Sequence, residues 1–134
     1  MSDEQPAPRA LNPLEAREVN RPQPGHVLCQ LAEIPDGETK AFNFGKGFEQ
    51  YKMFVLRRGE ALFSYANNCP HVHGPLDWRP GEFLTEDNEF IICAMHGAIF
   101  RIEDGRCVAG PCHGHYLSAV PVAVVDGRIV VVER

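Results

Sequence analysis

Two short stretches between Asn68 and Phe100 constrain this chain more than anything else in its sequence. Cys69-Pro70-His71 and, after a gap of 21 residues, Cys93-Ala94-Met95-His96 each place one thiol and one imidazole on a short loop. A thiolate is a soft ligand and an imidazole a borderline one, so two sulfurs and two nitrogens select zinc or an iron–sulfur centre over calcium or magnesium. Any fold of this chain that uses all four must bring both loops to one place. The plain alternative is an ordinary pair of core cysteines with two surface histidines. The paired spacings, with Gly74 and Gly97 beside the two loops, weigh against it.

The surrounding texture predicts strands. From His26 onward short apolar and β-branched runs alternate with turn signals every 8 to 12 residues, as in an antiparallel all-β domain. Strands are expected over 26–31, 39–44, 50–58, 60–67, 89–94, 98–103, 106–110, 117–125 and 128–134. Hairpin turns are expected at Arg58-Gly59, Asp104-Gly105 and Asp126-Gly127. The first ligand pair then falls at the end of one strand, and the strand over 89–94 leads straight into the second. Residues 74–87, rich in proline, glycine and acidic side chains, predict an exposed connection. Residues 1–24 hold five of the eleven prolines and predict a disordered tail, leaving 25–134 as the folded domain.

The pattern C-x-H…C-x-x-H followed at once by Gly97 resembles that of the Rieske iron–sulfur family. The resemblance implies an antiparallel β-sandwich or barrel, with a small cluster-binding subdomain formed by the two ligand loops. It implies one [2Fe–2S] cluster, with Cys69 and Cys93 on one iron and His71 and His96 on the other. Structural zinc, by contrast, more often takes C-x₂₋₄-C pairs. Gly74 and Gly97 would let backbone N–H groups approach the bridging sulfides. His73 is passed over by the family spacing and reads as a surface residue. The high-potential members carry an extra cysteine in each loop and a serine and tyrosine after the second. Gly74, Met95, Ala98 and Phe100 stand at those positions here, which implies a low-potential centre.

Gly110-Pro111-Cys112-His113-Gly114-His115 resembles the third loop that covers the cluster in this family. Cys107, Cys112, His113 and His115 also spell a second possible metal set, and a Cys107–Cys112 disulfide is possible but disfavoured in a reducing cytosol. Cys29 reads as a small buried hydrophobe, and Trp78 as either a core lid or a docking aromatic.

A formal net charge of −5 argues against nucleic-acid or anionic-membrane surfaces. With no apolar signal core or membrane-spanning run, a cytoplasmic protein is expected. Beyond His71 and His96 only His26, His73, His113 and His115 remain for a mononuclear iron, so the chain is expected to be an electron carrier and not an enzyme. The resemblance implies redox protein partners, a reductase on one side and a terminal oxygenase or other acceptor on the other. Two other readings stay open: an accessory subunit of the nitrite-reductase small-subunit type, and a zinc-stabilised interaction module.

Overall fold

In the computed structural model, which describes residues 18–70, 75–79, 81–93 and 97–133, the apolar runs form three antiparallel sheets of three strands each. The strands are β1 (Val27–Gln30), β2 (Thr39–Phe44), β3 (Tyr51–Arg58), β4 (Ala61–Ala66), β5 (Phe90–Ile92), β6 (Ile99–Arg101), β7 (Cys107–Ala109), β8 (Val122–Val125) and β9 (Arg128–Val131). The sheets have the orders β2-β3-β4, β1-β9-β8 and β5-β6-β7. The expected all-β architecture and every expected strand are therefore present, most of them trimmed at their ends.

Strand β3 explains the layering. Its run Met53-Phe54-Val55-Leu56 is fully buried, whereas an antiparallel strand with one wet face would alternate with polar residues. Successive side chains of a strand point to opposite faces. Tyr51, Met53 and Val55 enter a core with Cys29, Ile34, Ile129 and Val131, against the β1-β9-β8 sheet. Phe54 and Leu56 enter a second core with Ile91, Phe100, Ile102 and Leu117, against the β5-β6-β7 sheet. The β2-β3-β4 sheet is thus a middle layer, and Cys69 and Cys93 belong to the second core.

The turns follow from local chemistry. Val125 pairs with Arg128, and the two residues between them, Asp126 and Gly127, have φ of 52° and 76°, the positive values that a type I′ turn requires. At the β3–β4 turn Gly59 takes the first central position with φ of 61°. Hydrogen bonds from Ala66 N to Ser118 O (2.8 Å) and from Val120 N to Ser64 O (3.0 Å) tie β4 to the chain entering β8.

The segment 75–87 departs from expectation. Leu76 and Phe83 are buried to 0% and 1% exposure, and the Phe83 ring stacks on Phe54 with centroids 4.1 Å apart. The connection is held in by sheet-like bonds, Leu84 bridging to Ile91 and Ile92 N donating to Phe83 O (2.9 Å). Two apolar side chains in a polar stretch therefore anchor it, while Glu82, Glu86 and Asp87 stay outside. Trp78 is 45% exposed; its indole N–H donates to Leu84 O and the Arg79 guanidinium lies 4.9 Å from its ring centre.

Of the expected tail, residues 18–24 lie against the domain: Asn20 Nδ2 donates to Glu49 O (2.7 Å), Arg21 to Ala119 O (3.2 Å), and Pro22 is buried. Residues 1–17 lie outside the described residues. Among the described residues no helix is long and apolar enough to cross a membrane.

Candidate metal centre

Strand β4 delivers the first cysteine. After Ala66 the chain turns through Asn67 and Asn68, with Asn68 N donating to Ala66 O (2.9 Å), and Cys69 follows at 1% exposure. Asn67 fastens this loop at both ends. Its backbone N–H donates to Lys52 O (2.8 Å) on β3. Its side-chain oxygen accepts from Leu76 N (2.6 Å), and its side-chain nitrogen donates to Asp77 Oδ1 (3.1 Å). Asp77 in turn accepts from Gly81 N through Oδ2 (3.2 Å). One buried amide thus joins the residues before Cys69 to those that follow the loop.

Strand β5 delivers the second cysteine. Cys93 N donates to Ala98 O (2.8 Å) and Gly97 N donates to Cys93 O (3.0 Å), so Cys93 is tied to Gly97 and Ala98 just beyond the β5–β6 pair. Gly97 has φ of 68°, which a side chain would disfavour. The register of β6 against β7 shifts between Ile99 and Phe100, a bulge directly after this loop. Cys93 is 1% exposed and lies with Cys69 in the same core cluster. His71, His73, Gly74, Met95 and His96 lie outside the described residues.

The third loop packs onto this pair. A Cβ on Gly110 would come within 2.8 Å of Ala98 Cα, so only glycine lets the loop close against the residue that ends the second ligand loop. Cys107 N donates to His115 O (2.7 Å) and Gly114 N to Cys107 O (3.0 Å), which folds residues 107–115 back on themselves. Cys107 and Cys112 are buried in the core that holds Cys69 and Cys93, with the Cys112 thiol donating to Cys107 Sγ over 3.1 Å. Burial, and then the bond to Cys107, push the Cys112 thiol up to about 12. His113 and His115 are exposed, and no group of three or more His, Cys, Asp or Glu gathers among the described residues. The second metal set that the sequence spelled is not formed.

Tyr65 on β4 supports the far side of the same core. Its hydroxyl donates to Ile102 O (2.6 Å), and its ring meets Gly105, where a Cβ would sit 2.8 Å from Tyr65 Cε1. Burial first, then Asp104 and Glu103, raise this phenol to about 12. Neither Asn67 nor Tyr65 stood out in the sequence. The one available signal for Asn67 was its place at the junction of a strand with a ligand loop. Cys29, in the other core, is buried as expected, and burial raises its thiol.

The residues present fit an iron–sulfur group. Two cysteines at the ends of β4 and β5 share an apolar cluster at 1% exposure each, where bare thiolates would be costly and metal-bound ones are compensated. Fold and site together describe an all-β domain that brings two cysteines into one buried core between its β2-β3-β4 and β5-β6-β7 sheets. The Rieske [2Fe-2S] domain model matches residues 25–131, and the chain belongs to that family; its cofactor is a [2Fe–2S] cluster.

Among curated proteins, the cytochrome b6-f complex iron-sulfur subunit of Chlorobaculum thiosulfatiphilum is 28% identical over 85 residues, 63% of this chain. The match spans only 41% of that subunit's length. The 3-phenylpropionate/cinnamic acid dioxygenase ferredoxin subunit of Photorhabdus laumondii is 26% identical over 102 residues, 76% of this chain and 88% of that protein. Among solved structures, the Sphingomonas yanoikuyae B1 ferredoxin superposes with a TM-score of 0.63 at 27% identity, covering 82% of this chain and 99% of that one. The ferredoxin of carbazole 1,9a-dioxygenase from Nocardioides aromaticivorans IC177 superposes at 0.64 with 23% identity, covering 84% and 100%. A complex of reduced oxygenase and oxidized ferredoxin from carbazole 1,9a-dioxygenase matches at 0.65 and 22% identity, covering 83% and 94%.

Proposed function

We propose that this chain is a one-electron carrier that takes electrons from a reductase and passes them to a terminal oxygenase or similar acceptor, performing no substrate chemistry itself. The observation that carries the proposal is the meeting of Cys69 and Cys93 in one buried cluster, at the ends of strands that lead into C-x-H and C-x-x-H loops. Cys69 and Cys93 would hold one iron, and His71 and His96 the other. The cluster supplies reversible one-electron chemistry without proton or group transfer. Around it the chain's own residues exclude water. Leu76, Ala98 and Phe100 are fully buried beside the cysteines, and the third loop closes over Ala98 through Gly110.

Similarity to the dioxygenase ferredoxin subunit over 88% of that protein supports an oxygenase as acceptor, as does the fold shared with a ferredoxin solved in complex with its oxygenase. The net charge of −5 suits docking to a basic patch on such a partner. A cytoplasmic location fits five buried cysteines that form no disulfide.

Anaerobic purification tests the reading. The expected protein is red-brown, holds two irons and two sulfides per chain, and takes up one electron per cluster with the electron paramagnetic resonance signal of a reduced Rieske centre. A colourless protein that binds zinc and no iron would overturn it.

A further inference from the structure

Cys107 and Cys112 are two nucleophilic side chains that electron carriage does not use. Both lie outside the two ligand loops, both are buried (0% and 3% exposed), and their sulfurs are 3.1 Å apart. The Cys107 thiol donates onward to Ala109 O (3.1 Å), so the resting pair is a chain of two protonated thiols ending on a carbonyl. Among the described residues no group of three or more His, Cys, Asp or Glu gathers around them. Cys29, buried by itself on β1, shows that this chain can bury a cysteine without giving it a partner sulfur.

The backbone around the pair is set for ring closure. Hydrogen bonds from His113 N to Gly110 O (3.2 Å) and from His115 N to Cys112 O (2.9 Å) turn the loop so that Cys112 faces Cys107. Gly110 and Gly114, with φ of 96° and 88°, allow both bends. Pro111, His113 and Gly114, which flank Cys112, are exposed, so the buried thiol lies one residue from the solvent-facing chain on either side.

We propose that Cys107 and Cys112 form a reversible dithiol–disulfide pair, oxidised by small-molecule disulfides of the glutathione class. In the first step one protein thiol loses its proton and its sulfur attacks the small disulfide, breaking that S–S bond and releasing one small thiol. In the second, the other protein sulfur attacks the mixed disulfide, releasing a second small thiol and forming the Cys107–Cys112 bond. Two protein thiols lose two electrons and two protons in all, and one small disulfide becomes two thiols. The bridge would pin the third loop to β7 across the stretch in which Gly110 packs on Ala98, which rests on the cluster reading for its consequence but not for its occurrence.

The test equilibrates cluster-loaded protein anaerobically with mixtures of oxidised and reduced glutathione, traps it by alkylation and maps the peptides by mass spectrometry. A Cys107–Cys112 cross-link, two hydrogens lighter than the dithiol, is expected while the visible absorption of the cluster persists and Cys29 stays alkylatable. Because the fold pre-aligns the two sulfurs, half-conversion is expected at an oxidised-to-reduced ratio about tenfold lower than for the same chain unfolded in urea. Cys107→Ser and Cys112→Ser should each abolish the cross-link. The inference is overturned if the folded chain closes no more readily than the unfolded one, or yields only mixed glutathione adducts. A colourless protein that still closes the bridge would refute the carrier reading and leave the pair standing.

Discussion

Replacing Asn67 by alanine tests whether one side chain sets the geometry of the first ligand loop. The Asn67 amide accepts from Leu76 N at 2.6 Å and donates to Asp77 Oδ1 at 3.1 Å. Leu76 is fully buried, so its N–H would lose its acceptor where water cannot replace it, at a cost of about 1–3 kcal/mol. The second bond reaches a carboxylate that is only partly buried, and its loss adds about 1 kcal/mol. The sum, about 2–4 kcal/mol, corresponds to a thermal midpoint lower by roughly 6–16 °C for a domain of this size. The loop would also be released at its base, so the cluster should be lost faster when the variant is challenged with an iron chelator. Circular dichroism reads the first effect and visible absorption the second. Asn67→Asp makes the discriminating companion: it keeps an acceptor for Leu76 N but sets a second carboxylate against Asp77, so it should fall between parent and alanine variant. If Asn67→Ala melts within about 1 °C of the parent and keeps its cluster as long, the amide is not the clamp.

Cys69→Ser and Cys93→Ser should each abolish cluster retention, measured as iron per purified chain, whereas Cys29→Ser should retain it. The reduction midpoint should lie toward the low end of the roughly −150 to +300 mV span of Rieske centres, because Ala98 and Phe100 bring no hydroxyl to the sulfurs; a spectroscopic redox titration giving a midpoint above zero would contradict this. Gly105→Ala, which would set a Cβ 2.8 Å from Tyr65 Cε1 at a residue with φ of 74°, should cost about 1–3 kcal/mol in urea unfolding. Tyr65 carries a pH signature: its phenol is raised to about 12 in the fold and titrates near 10 when unfolded, so the unfolded chain loses its proton first. Its contribution is complete below about pH 10 and is lost as the pH rises toward 12; Tyr65→Phe should flatten that part of the stability profile.

The sequence showed the strands because each is short, apolar and bounded by turn residues, and β3 was legible as an ordinary hairpin arm. What its unbroken apolar run did not show was that both faces are covered, since periodicity cannot distinguish a two-faced strand from other buried elements. Leu76 and Phe83 were hidden by their neighbours: two anchors among prolines, glycines and acids do not make a periodic pattern, yet each fills the core that carries the cysteines. That Cys69 and Cys93 would be brought to one place was expected from spacing, and they share one buried cluster. The Cys107–Cys112 pairing was raised as a possibility, but the closeness of the two sulfurs depends on how residues 107–115 fold back, and that is written in hydrogen bonds to Cys107 and His115 rather than in residue types.

The middle sheet also accounts for why Cys69 and Cys93 meet where they do. An antiparallel sheet with both faces buried leaves its ends as the only place where a chain can leave the layer with polar groups still solvated. Residue Asn67, just past the end of β4, is such an exit, and there the chain satisfies its backbone N–H on Lys52 O and turns at once into Cys69. The third sheet meets the same end through β5 and Cys93, and Phe83 stacked on Phe54 fixes the two sheets against each other. The long connection between the two cysteines is therefore packed, through Leu76 and Phe83, into the core that holds both. Shortening it while keeping Leu76 and Phe83 should preserve the cluster, whereas Phe83→Ala, at about 3–5 kcal/mol for a buried aromatic, should loosen it with every ligand still in place.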